Sequence, residues 1–126
     1  MPSLETFVHK KLHVEDPTVL GPVVEFPVAI DQMLSTRPYL IQRRYEGIKR
    51  RASRSMPDVI NCIDTTQGVD EFYVIDGHHK SRRAYDMGET HFDSRVLITE
   101  IPEIRVYLST IAHGLIIALE IEDVWW

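Results

Sequence analysis

The chain has 126 residues, 44% apolar and 26% charged, an ordinary single-domain mixture that excludes a disordered chain or a coiled coil. Its net charge of −5 argues against a general nucleic-acid coat, and no run of about 18 uncharged apolar residues offers a transmembrane helix. The one cysteine, Cys62, can form neither an internal disulfide nor a multi-thiolate zinc site, and no basic-then-apolar leader opens the chain, so a cytoplasmic location is expected.

Residues 1–22 read as a lead-in with one short helix over Leu4–Leu12. His9 and His13 are four apart there and lack a third ligand nearby in sequence, so they read as an exposed helical face. Val23 to Val28 reads as a strand, with Pro27 marking an edge or an end. Thr36 is a candidate N-cap, with Pro38 in the first turn of a helix. Ile41, Tyr45, Ile48 and Ala52 form its apolar stripe, and Gly47 makes it depend on packing. Arg43, Arg50 and Arg54 fall on the opposite side, with Arg44 and Arg51 on the flank.

Pro57 to Ile63 reads as a second strand, with Cys62 in the core. A polar turn over Thr65–Asp70 leads into Phe72–Ile75, an uninterrupted apolar run that predicts a strand buried on both faces. A helix over His78–Met87 follows, stopped by Gly88. Phe92–Ile98 reads as a fourth strand. The spacing of Ile104, Leu108, Ile111, Leu115 and Leu119 predicts a long helix over Pro102–Ile121. Helices and strands alternating over this length predict an α+β or α/β domain.

Charge is uneven along the chain. Residues 37–83 hold ten basic and six acidic side chains, while both flanks are net acidic. A basic middle in an acidic protein points to a local anion site. The stretch from Tyr73 to Gly88 is where such a site belongs. A buried strand turns at Gly77 into a helix whose first N–H groups have no internal partner and sit at the positive end of its dipole. His78, His79, Lys80, Arg82 and Arg83 crowd that turn, against the dipole, and a bound phosphate would relieve the conflict. Glycine at 77 suits a tight turn and close approach of backbone to ligand. Asp76 is the candidate for a divalent ion bridging phosphates, since Mg²⁺ needs only one or two carboxylates. Asp76, His78, His79 and His91 form a weaker protein-only metal set, because adjacent helical residues point apart.

At this motif the sequence resembles the ParB/sulfiredoxin superfamily. ParB-type domains carry a glycine-glutamate-arginine-arginine box at a strand-to-helix turn. Gly77-His78-His79-Lys80-Ser81-Arg82-Arg83-Ala84 matches that layout, and Asp76-Gly77-His78-His79 is more similar to the small nucleotide-using branch that includes free-serine kinases. Glu25-Phe26-Pro27-Val28 with Ile30 and Met33, Met56-Pro57-Asp58-Val59-Ile60, and Met87-Gly88 are similar to further segments of the family in the same order. The likeness covers roughly residues 23–98.

The resemblance implies a compact α+β domain, a small mixed sheet with flanking helices. Residues 99–126 would form a C-terminal helix on the domain or at a dimer interface. It implies a stand-alone nucleotide-binding domain that holds the phosphates of ATP, ADP or CTP, with Mg²⁺, at Gly77, His78, His79, Lys80 and Arg82. By position, Arg37 resembles a basic residue that reaches the phosphates. NTPase or phosphotransfer chemistry would use Asp76 for metal or proton, with His78 or His79 as acid or base. Sulfiredoxins place their catalytic cysteine where His78 stands, which argues against that activity. Ser35-Thr36-Arg37-Pro38 lacks the acid of the serine kinases. Only about 28 residues follow Ile98, too few for the two further domains of the chromosome-partition proteins. The alternative is a nucleic-acid-binding or nuclease-like module that uses Arg43, Arg44, Arg50, Arg51 and Arg54. Trp125-Trp126, with the C-terminal helix, suggests a homodimer surface.

Overall fold

Tyr73, Val74 and Ile75 are all buried, and they point to opposite faces of one sheet. That sheet has the strand order β1-β6-β4-β5-β2, built from Val23–Ala29 (β1), Met33–Ser35 (β2), Asp58–Asp64 (β4), Val69–Asp76 (β5) and His91–Thr99 (β6). Neighbours alternate between antiparallel (β1/β6, β4/β5) and parallel (β6/β4, β5/β2). A second, two-stranded parallel sheet joins Leu40–Ile41 (β3) to Ile121–Glu122 (β7). The helices are Leu4–Leu12 (α1), Gln42–Arg50 (α2), His78–Asp86 (α3) and Pro102–Ile111 (α4). This computed structural model describes residues 3–50 and 56–123, and over them the chain is an α+β domain with a mixed sheet.

The period-two alternation of strands divides the core. Ile60 and Cys62, Tyr73 and Ile75, and Leu97 face α1 and α4, where Leu4, Val8, Ile104 and Leu108 complete one cluster. Val59, Val74 and Val96 face the other way, onto Ala84 of α3 and onto Ile116 and Leu119 of the C-terminal segment. Cys62 lies in the core as its strand position predicts. Burial, with Glu71 nearby, pushes its thiol up to about 12.

The N-terminal helix is more firmly built than a lead-in. The Ser3 side chain caps it by accepting from the Thr6 N–H, Glu5 occupies the first turn, and Lys10 and Lys11 the last. The Leu4 N–H donates to the Asp58 carboxylate at 2.9 Å, and Arg95 binds both Asp58 and Glu5. Leu4 and Val8 are fully buried, so α1 belongs to the core. His9 pairs with Glu15, and His13 ends the helix in the left-handed region.

Two predicted helices are shorter than their periodicity suggests. No helix starts at Thr36: the Thr36 hydroxyl donates to the Val74 carbonyl at 2.8 Å. Arg37 precedes a proline, which disfavours helical backbone there. The residues before it form β2 instead, parallel to β5, and α2 begins at Gln42 with Tyr45 buried on its stripe. Ala52, Arg51 and Arg54, and the side chain of Arg50, lie outside the described residues.

The C-terminal helix ends at Ile111, ten residues before its predicted end at Ile121. There the chain swings across to β2. The His113 N–H donates to the Ser35 carbonyl and the Ser35 N–H to the Gly114 carbonyl, each at 2.8 Å, and Leu115 bridges Leu34. Without this pairing the β2 edge would leave polar backbone unpaired. Ile116 and Leu119 then reach the second core from a strap that holds one short 3-10 turn, Ile116–Ala118, rather than from a continuation of α4. Trp125 and Trp126, expected at a dimer surface, lie outside the described residues. No helix among them is long and apolar enough to cross a membrane.

Candidate functional site

Asp76 ends β5, Gly77 turns the chain with φ +93°, and α3 begins at His78 with no side-chain cap on its first N–H groups. Beside this turn lies a half-open cleft of about 320 Å³. Ile75, Asp76 and His78 line it from the turn, and Thr36 and Arg37 from the β2–β3 loop. Phe7 and Lys11 of α1, with Tyr107 and Ile111 of α4, form the opposite wall. The Phe7 and Tyr107 rings pack at 6.3 Å between centroids.

Arg37 is the outlying group. Its backbone is fixed: the Ser35 hydroxyl donates to the Arg37 carbonyl at 2.8 Å and accepts from the Arg37 N–H at 2.9 Å. Its Nε is buried without a hydrogen-bond partner. Burial, then the neighbouring Arg44, lower its hold on the proton. A guanidinium N–H buried without a partner costs stability. The Asp76 carboxylate shares the cleft.

Both histidines turn inward. His78 and His79 are 3% and 2% exposed. The Thr36 N–H donates to His78 Nε2 at 3.3 Å, and the Ile41 N–H to His79 Nε2 at 3.0 Å. Accepting a main-chain bond at Nε2 places the ring proton on Nδ1. Burial, then Arg37 and the other imidazole, push His78 down to about 3. Burial, then Arg37 and Arg44, push His79 down to about 4. Expected to act as acid or base near neutral pH, the two rings are instead held inward and neutral, each with Nε2 accepting a main-chain N–H.

A Cβ at Gly77 would lie 2.9 Å from Pro57 Cα and Cβ, so the turn packs closely against β4's lead-in. Arg82, expected on phosphate, is committed elsewhere. It donates to the Leu119 carbonyl at 2.6 Å and pairs with Asp86 at 3.2 Å. Arg83 lies over the Tyr45 ring and donates to its hydroxyl. Lys80 is half-buried on α3 and does not line the cleft. Arg43 and Arg44 are exposed on α2.

Replacing Arg82 by Met should therefore loosen the strap rather than a ligand site. We expect a loss of about 2 kcal/mol in a urea melt, the worth of a charged hydrogen bond. Proteolysis within residues 112–123 should also accelerate, and an unchanged melt would contradict this role.

Of the predicted site residues, the fold brings Arg37, Asp76 and His78 to the cleft. Lys11, Phe7 and Tyr107 were not predicted. The one local signal was the spacing of Phe7 and Lys11, four apart on a single helical face. Among the described residues, no three or more His, Cys, Asp or Glu side chains are grouped to hold a metal. A single open carboxylate beside a cationic group does fit an Mg²⁺ that arrives on phosphate oxygens.

No family model and no curated protein matches the chain. Among solved structures it is similar to protein Atu1540 from Agrobacterium tumefaciens, with a TM-score of 0.52 and 17% identity over 68% of this chain. The matched part spans about half of that protein, 46% of its length. A likeness at this identity speaks for the α+β fold alone.

Proposed function

We propose that this domain binds a phosphorylated small molecule, a nucleotide with Mg²⁺, in the cleft between the Gly77 turn and α1. The observation that carries this reading is Arg37: a half-buried guanidinium, held by a fixed loop, whose Nε is buried without a hydrogen-bond partner among the described residues. A local cost without internal compensation marks a functional position. A phosphate would supply the missing partner in a charge-assisted pair. Lys11 adds a second cation from the facing wall, and the uncapped start of α3 adds N–H donors. Asp76 would hold the metal or accept a proton. Phe7, Tyr107 and Ile111 offer an apolar surface for a base. The resemblance of Gly77–Ala84 to the ParB/sulfiredoxin superfamily supports this reading, because that family holds nucleotide phosphates at the same turn. Phosphoryl chemistry rests mainly on positioning and charge neutralisation, so NTP hydrolysis or phosphotransfer is the activity to assay.

The test is a thermal-shift screen with ATP, ADP and CTP, with and without Mg²⁺. At a ligand concentration about 100-fold above Kd, Tm should rise by roughly 10 °C. At the same ligand concentration the rise should fall to about a third or less in Arg37→Ala. No shift with any of the three would remove the proposal.

A further inference from the structure

The two consecutive histidines do one job between them. In a strand, successive N–H groups point to opposite sides. The Leu40 N–H of β3 goes to the Glu120 carbonyl of the C-terminal strap at 2.9 Å. The Ile41 N–H points the other way, toward α3, where no strand lies, and His79 Nε2 meets it. At the other end of the same loop, His78 Nε2 meets the Thr36 N–H. Arg37 lies between these two points, with its own backbone tied to the buried Ser35. His79 does not line the cleft, and it is buried against the loop that delivers Arg37.

We propose that His79 is a positioning residue: as a neutral acceptor it replaces the missing strand beside β3, and with His78 it clamps the Thr36–Ile41 loop so that Arg37 faces the cleft. The proposal rests on the reading of the cleft as an anion site. It predicts that an acceptor at position 79 matters to ligand affinity although the ring touches no ligand. Neutrality is essential, because an imidazolium donates at both nitrogens and would repel the Ile41 N–H.

The experiment measures Mg²⁺–ATP and Mg²⁺–pyrophosphate binding by calorimetry in the wild type, His79→Leu and His79→Gln, each with and without Arg37→Ala. Loss of the clamp should weaken binding about tenfold in His79→Leu, the worth of one buried hydrogen bond. Gln, which keeps an acceptor, should restore most of it. In the Arg37→Ala background, His79→Leu should add no further loss. Wild-type affinity in His79→Leu, or an undiminished loss without Arg37, would overturn the proposal. If the wild type binds neither probe, the anion-site reading fails, and the clamp is then decided by amide exchange. Exchange at Ile41 should be about tenfold faster in His79→Leu than in His79→Gln, and equal rates would overturn the clamp.

Discussion

Acidification from about pH 7.5 to about pH 5 is expected to remove roughly 4 kcal/mol of folding stability and to lower Tm by about 15 °C. The cause is the buried histidine pair. Their folded-state values, about 3 for His78 and about 4 for His79, lie below the ordinary 6.5. The folded chain therefore binds fewer protons than the unfolded chain. Their contribution is complete above 6.5 and is lost as pH falls toward the folded values. At about pH 5 each imidazole accounts for a loss of about 2 kcal/mol. Arg37 opposes protonation of both rings and Arg44 that of His79, while the Val74 carbonyl acts the other way on His78. Glu5, held below its ordinary 4.5 by Arg95, adds loss of the same sign at lower pH. Melting curves across this range provide the check. The joint replacement His78→Gln and His79→Gln should flatten the profile above about pH 5. A wild-type Tm that stays constant to about pH 5 would contradict the burial of neutral rings.

Gly21→Ala is expected to cost about 3 kcal/mol or more. An added Cβ would fall 1.8 Å from the Ile98 carbonyl oxygen. That oxygen is backbone, and the adjacent Ile98 N–H is bonded to the Pro22 carbonyl at 2.9 Å, so neither strand can withdraw without breaking its pairing. Gly77→Ala should cost about 2 kcal/mol, from backbone strain at φ +93° and from Pro57 at 2.9 Å. Gly47→Ala is the internal control: it sits within α2 with nothing inside 4 Å and should be neutral or stabilising by up to about 1 kcal/mol. Urea melts of the three variants would establish the order, and a tolerated Gly21→Ala would contradict the close approach of Gly21 to the Ile98 carbonyl.

How much of this was legible follows from how local each determinant is. The Leu4–Leu12 helix, the Phe72–Ile75 core strand, and the turn at Asp76-Gly77 into α3 were readable because caps, β-branched runs and a turn glycine act within a few residues. The three-residue β2, the β3/β7 pair and the early end of α4 were not, because backbone partners distant in sequence decide them. Leu115 and Leu119 keep a helical period that the β2 edge overrules. Of the residues that line the cleft, Arg37, Asp76 and His78 are named by the motif and its family resemblance. Lys11 and Tyr107 come from the two ends of the chain, and only folding brings them to one cleft. The histidines were found but their use was not, since no spacing tells which way a ring turns. Arg82 looked like a phosphate ligand because no local signal revealed that the strap would pass over α3.

We propose that Arg37 binds an anion in this cleft. Titration calorimetry of the wild type and of Arg37→Ala with Mg²⁺–ATP, Mg²⁺–ADP and Mg²⁺–CTP, at two salt concentrations, addresses it most directly. The account predicts saturable one-to-one binding of at least one nucleotide to the wild type, weakened by salt and reduced roughly thirtyfold or more by Arg37→Ala. Absence of binding to the wild type, or equal affinity in Arg37→Ala, would contradict it.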